Sequence, residues 1–152
     1  MNELKFKGIN YSFLFYFSIC LTLIHIILSK IFYIILNFYN LNLNKNTDMF
    51  ENETEEFILV VFFAPITETL FFQSIPSYLL RKYKIIYTIL ISSILFGVSH
   101  FNSKLHIFYF TIIGLIYILG YIQSDKKNLN PFLTILLSHI LYNFFVFINK
   151  NF

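Results

Sequence analysis

The sequence predicts an all-α fold, a polytopic membrane bundle of about five transmembrane helices. Of its 152 residues, 57% are hydrophobic and only 12% are charged, whereas roughly a quarter are charged in ordinary soluble domains. Hydrophobic segments of about twenty residues alternate with short polar stretches, which is the pattern that a bilayer selects. The single Cys20 excludes an internal disulfide and a cysteine-based zinc site. The scattered cations give no support for nucleic-acid binding.

The first predicted helix covers residues 9–39. Two lysines precede its hydrophobic run, as in a signal peptide, but the run is longer than the roughly seven to fifteen apolar residues of such a peptide. It also lacks a small-residue cleavage site, so we expect it to be retained as a membrane helix. The polar segment 40–56 follows. Asn52 or Thr54 is expected to cap the next helix, because acidic residues in its first turn suit the positive end of a helix dipole.

Four more helices complete the predicted bundle. The second ends at the short basic turn 81–84, so the third must return antiparallel beside it as a helical hairpin. Pro131 suits the first turn of the fifth helix. The predicted ranges of helices two to five are 57–80, 85–100, 106–122 and 131–147. No internal repeat interrupts this pattern, and we predict a single integral membrane domain over residues 1–152.

Five spans place the two ends of the chain on opposite sides of the membrane. With the N-terminus inside, more cationic residues fall on the inner side than on the outer side. The inner ones are Lys5, Lys7, Arg81, Lys82, Lys84, Lys126 and Lys127, and the outer ones are Lys30, Lys45, Lys104 and Lys150. The positive-inside rule therefore favours an inside N-terminus. We expect the protein in a bacterial cytoplasmic membrane.

Glu68 is the clearest ionisable residue inside a hydrophobic segment. Such a side chain at the middle of a membrane helix costs at least about 2.5 kcal/mol on insertion scales, so its presence needs an explanation. Pro65 removes a backbone donor nearby, and Thr67, Thr69 and Gln73 add polar atoms. These residues predict a kinked, water-accessible pocket around Glu68. The alternative is a protonated Glu68 that hydrogen-bonds to a neighbouring helix.

His139 and Asn143 stand four residues apart, so on a helix both project from one face. Such a pair can address one ligand atom, although His and Asn also join membrane helices by ordinary hydrogen bonds. From the helical rise, Glu68 lies about 16 Å from one membrane surface and His139 about 12 Å from the other. Because these depths add up to nearly the hydrocarbon thickness of about 30 Å, the two fall at one level. His100, about 22 Å from the inner side, falls several ångströms higher.

The remaining candidates have weaker support. His25 stands alone in helix one and His106 lies at a helix boundary, so we expect packing or interface roles for both. Tyr142 is a candidate pocket residue because it is next to Asn143. Cys20 has no His or acid nearby, and we reject a cysteine nucleophile.

Three short motifs occur in order on three hydrophobic segments. They are Glu68-Thr69-x-x-x-Gln73, Phe96-Gly97-Val98-Ser99-His100 and His139-x-x-x-Asn143. Together they resemble the CAAX protease and bacteriocin-processing family (CPBP or Abi), which includes type II CAAX prenyl endopeptidases and lysostaphin resistance protein A-like proteins. The resemblance covers about residues 57–147. At the supporting positions Thr69 and Gln73 that family usually has Glu and Arg, and we expect the replacements to exchange a charged contact for a neutral hydrogen bond.

The resemblance implies an intramembrane endopeptidase. In this interpretation, Glu68 and His100 activate a water molecule, while His139 and Asn143 stabilise the oxyanion. No cofactor is expected. A zinc-dependent reaction is the alternative, because Glu68, His100 and His139 amount to a ligand set of two histidines and one carboxylate. The HExxH arrangement of many zinc proteases is absent, so direct water activation is our first hypothesis.

The expected partners are membrane lipid and a peptide or protein substrate. A lipidated CAAX protein and a bacteriocin or pheromone precursor are both compatible with the residues. The competing hypothesis is a non-catalytic membrane scaffold or bacteriocin-immunity protein of the same family, which the two departures from the first motif motivate. A transporter or channel is disfavoured, because a pore needs a series of polar residues and the sequence shows only one cluster.

Overall fold

The computed structural model describes residues 10–39, 52–101 and 103–149, and every regular element in these ranges is helical. The five helices are α1 (Tyr11–Phe38), α2 (Glu53–Leu79), α3 (Ile85–Ser99), α4 (Lys104–Lys126) and α5 (Pro131–Ile148). They confirm the predicted all-α bundle, and each helix ends within four residues of its predicted limits. The N-terminal lysines and most of the predicted polar loop lie outside the described ranges.

Side-chain caps fix the starts of four helices. The side-chain oxygen of Asn52 accepts a hydrogen bond from the backbone N–H of Glu55 at 2.8 Å, so Asn52 and not Thr54 is the cap of α2. The corresponding caps of α1, α4 and α5 are Asn10, Ser103 and Asn130. Helix α2 begins one turn earlier than predicted, because the acidic residues that follow Asn52 stabilise the first turn through the helix dipole.

Four of the helices, α1, α2, α4 and α5, are long and apolar enough to cross a membrane. Helix α3 has 15 residues and therefore covers only about 22 Å of a hydrocarbon core that is about 30 Å thick. Large apolar side chains face outward on several helices, for example Ile34 of α1, Phe71 of α2 and Phe108 of α4, each more than half exposed. Such a surface suits lipid contact.

Helix α2 contains two stretches in which the backbone hydrogen bonds are π-helical instead of α-helical. The π-helical stretches are Phe57–Phe63 and Thr69–Ser74, and a proline follows soon after each. At the first, the N–H of Ala64 bonds to the carbonyl of Leu59, five residues earlier. Pro65 has no N–H for the next carbonyl, that of Val60. The disturbance expected near Pro65 is thus a register change that leaves one backbone acceptor available to another helix.

Helices α3 and α4 pack closely because glycines face each other's backbones. A Cβ on Gly97 of α3 would lie 2.7 Å from the carbonyl oxygen of Ile107 in α4. A Cβ on Gly114 of α4 would lie 2.8 Å from the Cβ of Phe96 in α3. Small residues allow such close approach of membrane helices. Since His100 comes three residues after Gly97, this contact also fixes the end of α3 against α4.

Helix α1 packs against α5 through hydroxyl groups. The Ser18 hydroxyl hydrogen-bonds to the carbonyl of Thr134 at 2.9 Å, and the Thr22 hydroxyl to that of Ser138 at 3.1 Å. The buried apolar core draws on α1, α3, α4 and α5. Its members are Leu21, Phe96, Tyr109, Ile113, Tyr117 and Ile135. Helix α1 is therefore an integral part of the bundle.

Candidate active site

A cavity of about 490 Å³ lies among the helices, and four of the residues singled out in the sequence line it. Glu68 comes from α2, His100 from the end of α3, and His139 and Asn143 from α5. Apolar side chains form most of the remaining wall. An apolar cavity with a few convergent polar groups is the usual form of a small binding site. The structure thus brings together residues that lie more than seventy positions apart in the chain.

Glu68 lies between two histidines. Its Oε1 is 4.0 Å from Nε2 of His100, and its Oε2 is 3.5 Å from Nε2 of His139. Oε2 has no hydrogen-bond partner among the described residues. One water molecule can bond to two atoms that are this far apart, because each of its hydrogen bonds is about 2.8 Å long. Glu68 and His100 are therefore spaced to hold a single water between them.

His100 lies beside Glu68 although the residue count put it several ångströms higher. Its ring turns back along α3, where Nδ1 lies 2.9 Å from the carbonyl oxygen of Phe96, and it stacks on Phe110 of α4 at a centroid distance of 3.8 Å. Side chains of helices lean in this direction, and the turn lowers the ring by about one helical turn. The predicted mismatch of depth is therefore wrong, because it compared backbone positions only.

The same contact determines which nitrogen of His100 carries the hydrogen. Nδ1 also lies 3.0 Å from the hydroxyl oxygen of Ser99. That hydroxyl gives its hydrogen to the carbonyl of Phe96 at 2.8 Å, and a carbonyl only accepts, so Nδ1 is the donor to Phe96. In a neutral imidazole the other nitrogen, Nε2, is then an acceptor. His100 thus presents a hydrogen-bond acceptor toward Glu68, and a water between them meets an acceptor on each side.

The hydrogen-bonding character of His139 is opposite to that of His100. Its side chain is buried against Phe96 and Tyr117, with ring centroids 6.0 Å and 5.1 Å away. Nε2 faces the carboxylate of Glu68, while Nδ1 has no partner among the described residues. An N–H beside a carboxylate is electrostatically favourable, so the hydrogen belongs on Nε2. His139 therefore offers a donor to the cavity.

Asn143 uses its amide to hold α2. Its Nδ2 donates a hydrogen bond of 2.7 Å to the carbonyl oxygen of Val60, the group that Pro65 leaves without a helical partner. The sequence interpretation gave this amide to the oxyanion alone. The structure commits one of its two N–H groups to the backbone and leaves one for a ligand. Asn143 thus joins α5 to α2 where the helix changes register.

Thr69 and Gln73 are both fully buried in the second π-helical stretch. Neither the Thr69 hydroxyl nor either polar atom of the Gln73 amide has a hydrogen-bond partner among the described residues. The neutral hydrogen bond expected between them is therefore not formed, and that interpretation is wrong. The reason is the wider turn of a π-helix, which bonds residues five apart and moves residues four apart out of line.

His25 of α1 is a cavity residue that the sequence interpretation missed. It is only 1% exposed, it lines the cavity, and its ring stacks on Tyr142 at a centroid distance of 3.4 Å. Tyr142 also lines the cavity, as its position beside Asn143 suggested. A signal for His25 was present, because Thr22 and Ser29 stand three and four residues from it and form a polar stripe on α1.

The zinc alternative concerns Glu68, His100 and His139, whose nearest side-chain atoms are 3.5 Å and 4.0 Å apart. Within residues 10–39, 52–101 and 103–149, no group of three or more His, Cys, Asp and Glu side chains is arranged to hold a metal ion. In addition, Nδ1 of His139 lacks the acceptor that normally orients a metal-ligating histidine.

Comparison with known proteins identifies the family of the chain. Residues 50–145, which are 96 of the 152 residues, match the family model described as type II CAAX prenyl endopeptidase Rce1-like. The match includes Glu68, His100, His139 and Asn143 but not α1. No curated protein and no solved structure matches the chain. Because the family model covers well over half of the sequence, the chain belongs to the Rce1-like family of type II CAAX prenyl endopeptidases, a family of membrane proteases.

Proposed function

We propose that this protein is an intramembrane endopeptidase, which hydrolyses a peptide bond at or within the membrane through a water molecule activated by Glu68 and His100. The observation that carries the proposal is the placement of Glu68 within 4.0 Å of the Nε2 atoms of two histidines in one cavity. Membership of a protease family supports the reaction class. We favour glutamate-type over zinc-dependent catalysis, because the sequence lacks the HExxH arrangement of many zinc proteases and no metal-holding group of three or more His, Cys, Asp and Glu occurs among the described residues.

In the proposed reaction, the water donates one hydrogen to Glu68 and the other to Nε2 of His100. Its oxygen attacks the carbonyl carbon of the peptide bond while one proton passes to Glu68, which acts as general base. The carbonyl electron pair moves to oxygen and forms a tetrahedral oxyanion. When the carbonyl forms again, the C–N bond breaks and Glu68 returns the proton to the leaving amine.

His139 and Asn143 are the proposed donors to the oxyanion. Nε2–H of His139 and the second N–H of the Asn143 amide are the groups available for this purpose. A donor aimed at the developing negative charge typically contributes about 10²–10³ in rate. Both residues are on α5, which holds them one turn apart on one face.

The first prediction concerns the general base. Glu68→Gln should lower the rate of cleavage about 10²–10⁴-fold, because an amide cannot accept the proton of the water. Cleavage is measured on a fluorescence-quenched peptide that ends in a farnesylated CAAX sequence. In cells, the membrane-associated peptides of the variant should contain uncleaved precursors that the intact protein removes, and these would identify the natural substrate.

Glu53→Gln is the matched control, because it makes the same chemical change at the start of α2, outside the cavity. It should leave cleavage unchanged. If normally inserted Glu68→Gln and His139→Ala proteins both process the substrate at the original rate, the peptidase proposal is wrong. The scaffold hypothesis predicts that outcome together with a lower thermal unfolding temperature in detergent.

The second prediction concerns metal. Purified protein treated with a chelator should keep its peptidase activity, because the proposed base and donors are side chains. Added zinc should not increase the rate. Recovery of activity with one equivalent of zinc after its loss to the chelator would show that direct activation by Glu68 and His100 is incorrect.

The proposal also covers the class of substrate and the orientation of the protein in the membrane. A lipidated CAAX-type protein is the first candidate substrate, because the family description names that class, and a bacteriocin or pheromone precursor is the second.

We place a single domain of residues 1–152 in a bacterial cytoplasmic membrane with its N-terminus inside, because with that orientation most of the Lys and Arg residues lie on the inner side. A Lys82→Cys protein in a Cys20→Ser background should then resist membrane-impermeant thiol reagents in intact cells.

A further inference from the structure

His25 lines the cavity that contains Glu68 and His139. Its side chain is 1% exposed, and its Nε2 has no hydrogen-bond partner among the described residues. A buried polar atom without a partner is unusual, because it loses the hydrogen bonds of water without replacement. Helix α1 lies outside the segment that matches the family model. The three sequence motifs therefore do not explain why this nitrogen is buried without a partner.

The other ring nitrogen determines the character of this atom. Nδ1 of His25 lies 2.8 Å from the hydroxyl oxygen of Tyr117, a residue that is completely buried. The Tyr117 hydroxyl also hydrogen-bonds to Ser138, whose hydroxyl oxygen accepts from Thr22. With the Ser138 hydrogen donated to the phenol oxygen, the phenol gives its own hydrogen to Nδ1 of His25. A neutral imidazole with Nδ1 as acceptor carries its hydrogen on Nε2. The unpartnered atom of His25 is therefore a hydrogen-bond donor.

The ring of His25 is held in a fixed orientation. Tyr142 stacks on it with an angle of 10° between the ring planes, and the edge of the Tyr117 ring meets it at 84°. The Tyr142 hydroxyl is in turn hydrogen-bonded to Ser29 at 2.6 Å. Donors that are oriented before the reaction need no reorganisation when charge develops, which is the property that makes them effective in catalysis.

We propose that His25 is a further catalytic residue, whose Nε2–H donates a hydrogen bond to the carbonyl oxygen of the scissile peptide bond and stabilises the oxyanion. This inference rests on the proposed peptidase function. Asn143 shares its amide with the carbonyl of Val60, so α5 alone provides the oxyanion with His139 and only one N–H of Asn143. Nε2–H of His25, on α1, is the third proposed donor to the oxyanion. The peptide substrate then contacts α1 as well as the helices that carry the motifs.

Two substitutions separate catalysis from packing. His25→Asn keeps a side-chain acceptor at the place of Nδ1 for Tyr117 but ends before the place of Nε2. His25→Gln reaches the place of Nε2 with an amide N–H but loses the acceptor for Tyr117. We expect His25→Asn to lower kcat about 10²–10³-fold with little change in KM or in thermal stability. His25→Gln should retain most of kcat but unfold at a lower temperature, because the Tyr117 hydroxyl loses its partner.

The probe is the quenched farnesylated CAAX peptide, and His106→Asn is the control. His106 lies outside the cavity at the start of α4, so this variant should keep the original kcat and KM. If His25→Gln is more impaired than His25→Asn, and kcat follows the unfolding temperature, His25 has a packing role and the inference is overturned. If His25→Asn keeps full activity while Glu68→Gln is inactive, the inference alone fails. If Glu68→Gln cleaves at the original rate, the proposed function fails and the inference with it.

A spectroscopic measurement tests the protonation state without turnover. The ¹⁵N resonances of histidine-labelled protein should include two buried histidines with hydrogen on Nε2 and none on Nδ1, those of His25 and His139, and one of the two signals should disappear in His25→Asn. Addition of a peptide aldehyde, which mimics the tetrahedral intermediate as its hydrate, should shift that signal. A His25 signal with hydrogen on Nδ1 would overturn the proposal, because Nε2 would then be an acceptor.

Discussion

At the scale of single residues, the site is distinguished by buried polar atoms that lack partners. Oε2 of Glu68, Nδ1 of His139 and Nε2 of His25 are all buried and unpartnered among the described residues. In ordinary protein interiors about nine in ten or more buried polar groups are hydrogen-bonded. These three residues line the cavity, where the peptidase proposal places a water molecule and a substrate, whereas the other buried atoms without a partner among the described residues belong to Thr69, Gln73, Ser74 and Ser77 in the second half of α2.

The contact between Asn143 and Val60 gives a prediction at the same scale. Asn143→Ala should lower the free energy of unfolding by about 1–3 kcal/mol, because the part-buried carbonyl of Val60 loses its side-chain partner. In a Pro65→Ala background the backbone N–H returns and can serve that carbonyl, so the cost should be smaller. Thermal or denaturant unfolding in detergent measures the four proteins of this double-mutant cycle.

Asn149 provides the matched control for Asn143. Its amide also donates to a backbone carbonyl, that of Phe145 at 2.8 Å, but at the exposed end of α5. Because water replaces a lost partner there, Asn149→Ala should change stability by no more than about 0.5 kcal/mol. An equal cost of Asn143→Ala with and without Pro65 would show that the Val60 carbonyl is not the reason for the effect.

At the scale of elements, two irregular helices place two of the proposed catalytic residues, Glu68 and His100. Helix α2 passes through π-helical stretches on both sides of Glu68, which alter the direction of its side chains relative to a regular helix. Helix α3 is shorter than a membrane span, and His100, which directly follows its last residue, lines the cavity. The glycine contacts with α4 hold that end in position. Departures from regular helix geometry are common at functional positions, because the geometry that a site requires overrides local conformational preferences there.

The Gly97 contact supports a prediction at this scale. Gly97→Ala should destabilise the protein by about 1–3 kcal/mol, because its Cβ would meet the backbone of Ile107 and Thr111 and those atoms cannot move aside alone. It should also reduce peptidase activity, because α3 must shift and carries His100 with it. Unfolding in detergent and cleavage of the quenched peptide measure the two effects.

Gly120→Ala is the control for Gly97→Ala. A Cβ at Gly120 would approach the ends of the Leu21 and Ile135 side chains at 2.9 Å and 3.0 Å. Such side chains can change rotamer, so the cost should be smaller, and the site should keep its activity. If the two alanine variants behave alike, the close approach of α3 and α4 is not what positions His100.

At the scale of the whole molecule, the bundle presents apolar side chains to its surroundings and collects polar groups inside. This distribution is the one that a membrane requires, because lipid provides no hydrogen bonds for polar atoms. Helix α1 takes part in both, with an outer apolar surface and an inner stripe of Ser18, Thr22, His25 and Ser29 that faces α4 and α5. The site is therefore a product of the entire bundle and not only of the segment that matches the family.

The amino-acid sequence by itself determined the helical class, the helix limits to within one turn, and the co-location of Glu68, His139 and Asn143. Hydropathy and helical spacing are local properties, so they can be taken directly from the chain. Only the tertiary structure decided that His25 joins the cavity, that the ring of His100 turns back toward Glu68, that the amide of Asn143 is shared with Val60, and that Thr69 and Gln73 do not bond. These outcomes depend on the rotation and register of one helix against another, and on the change of register at Pro65, which arise from packing between distant segments and leave no local signature.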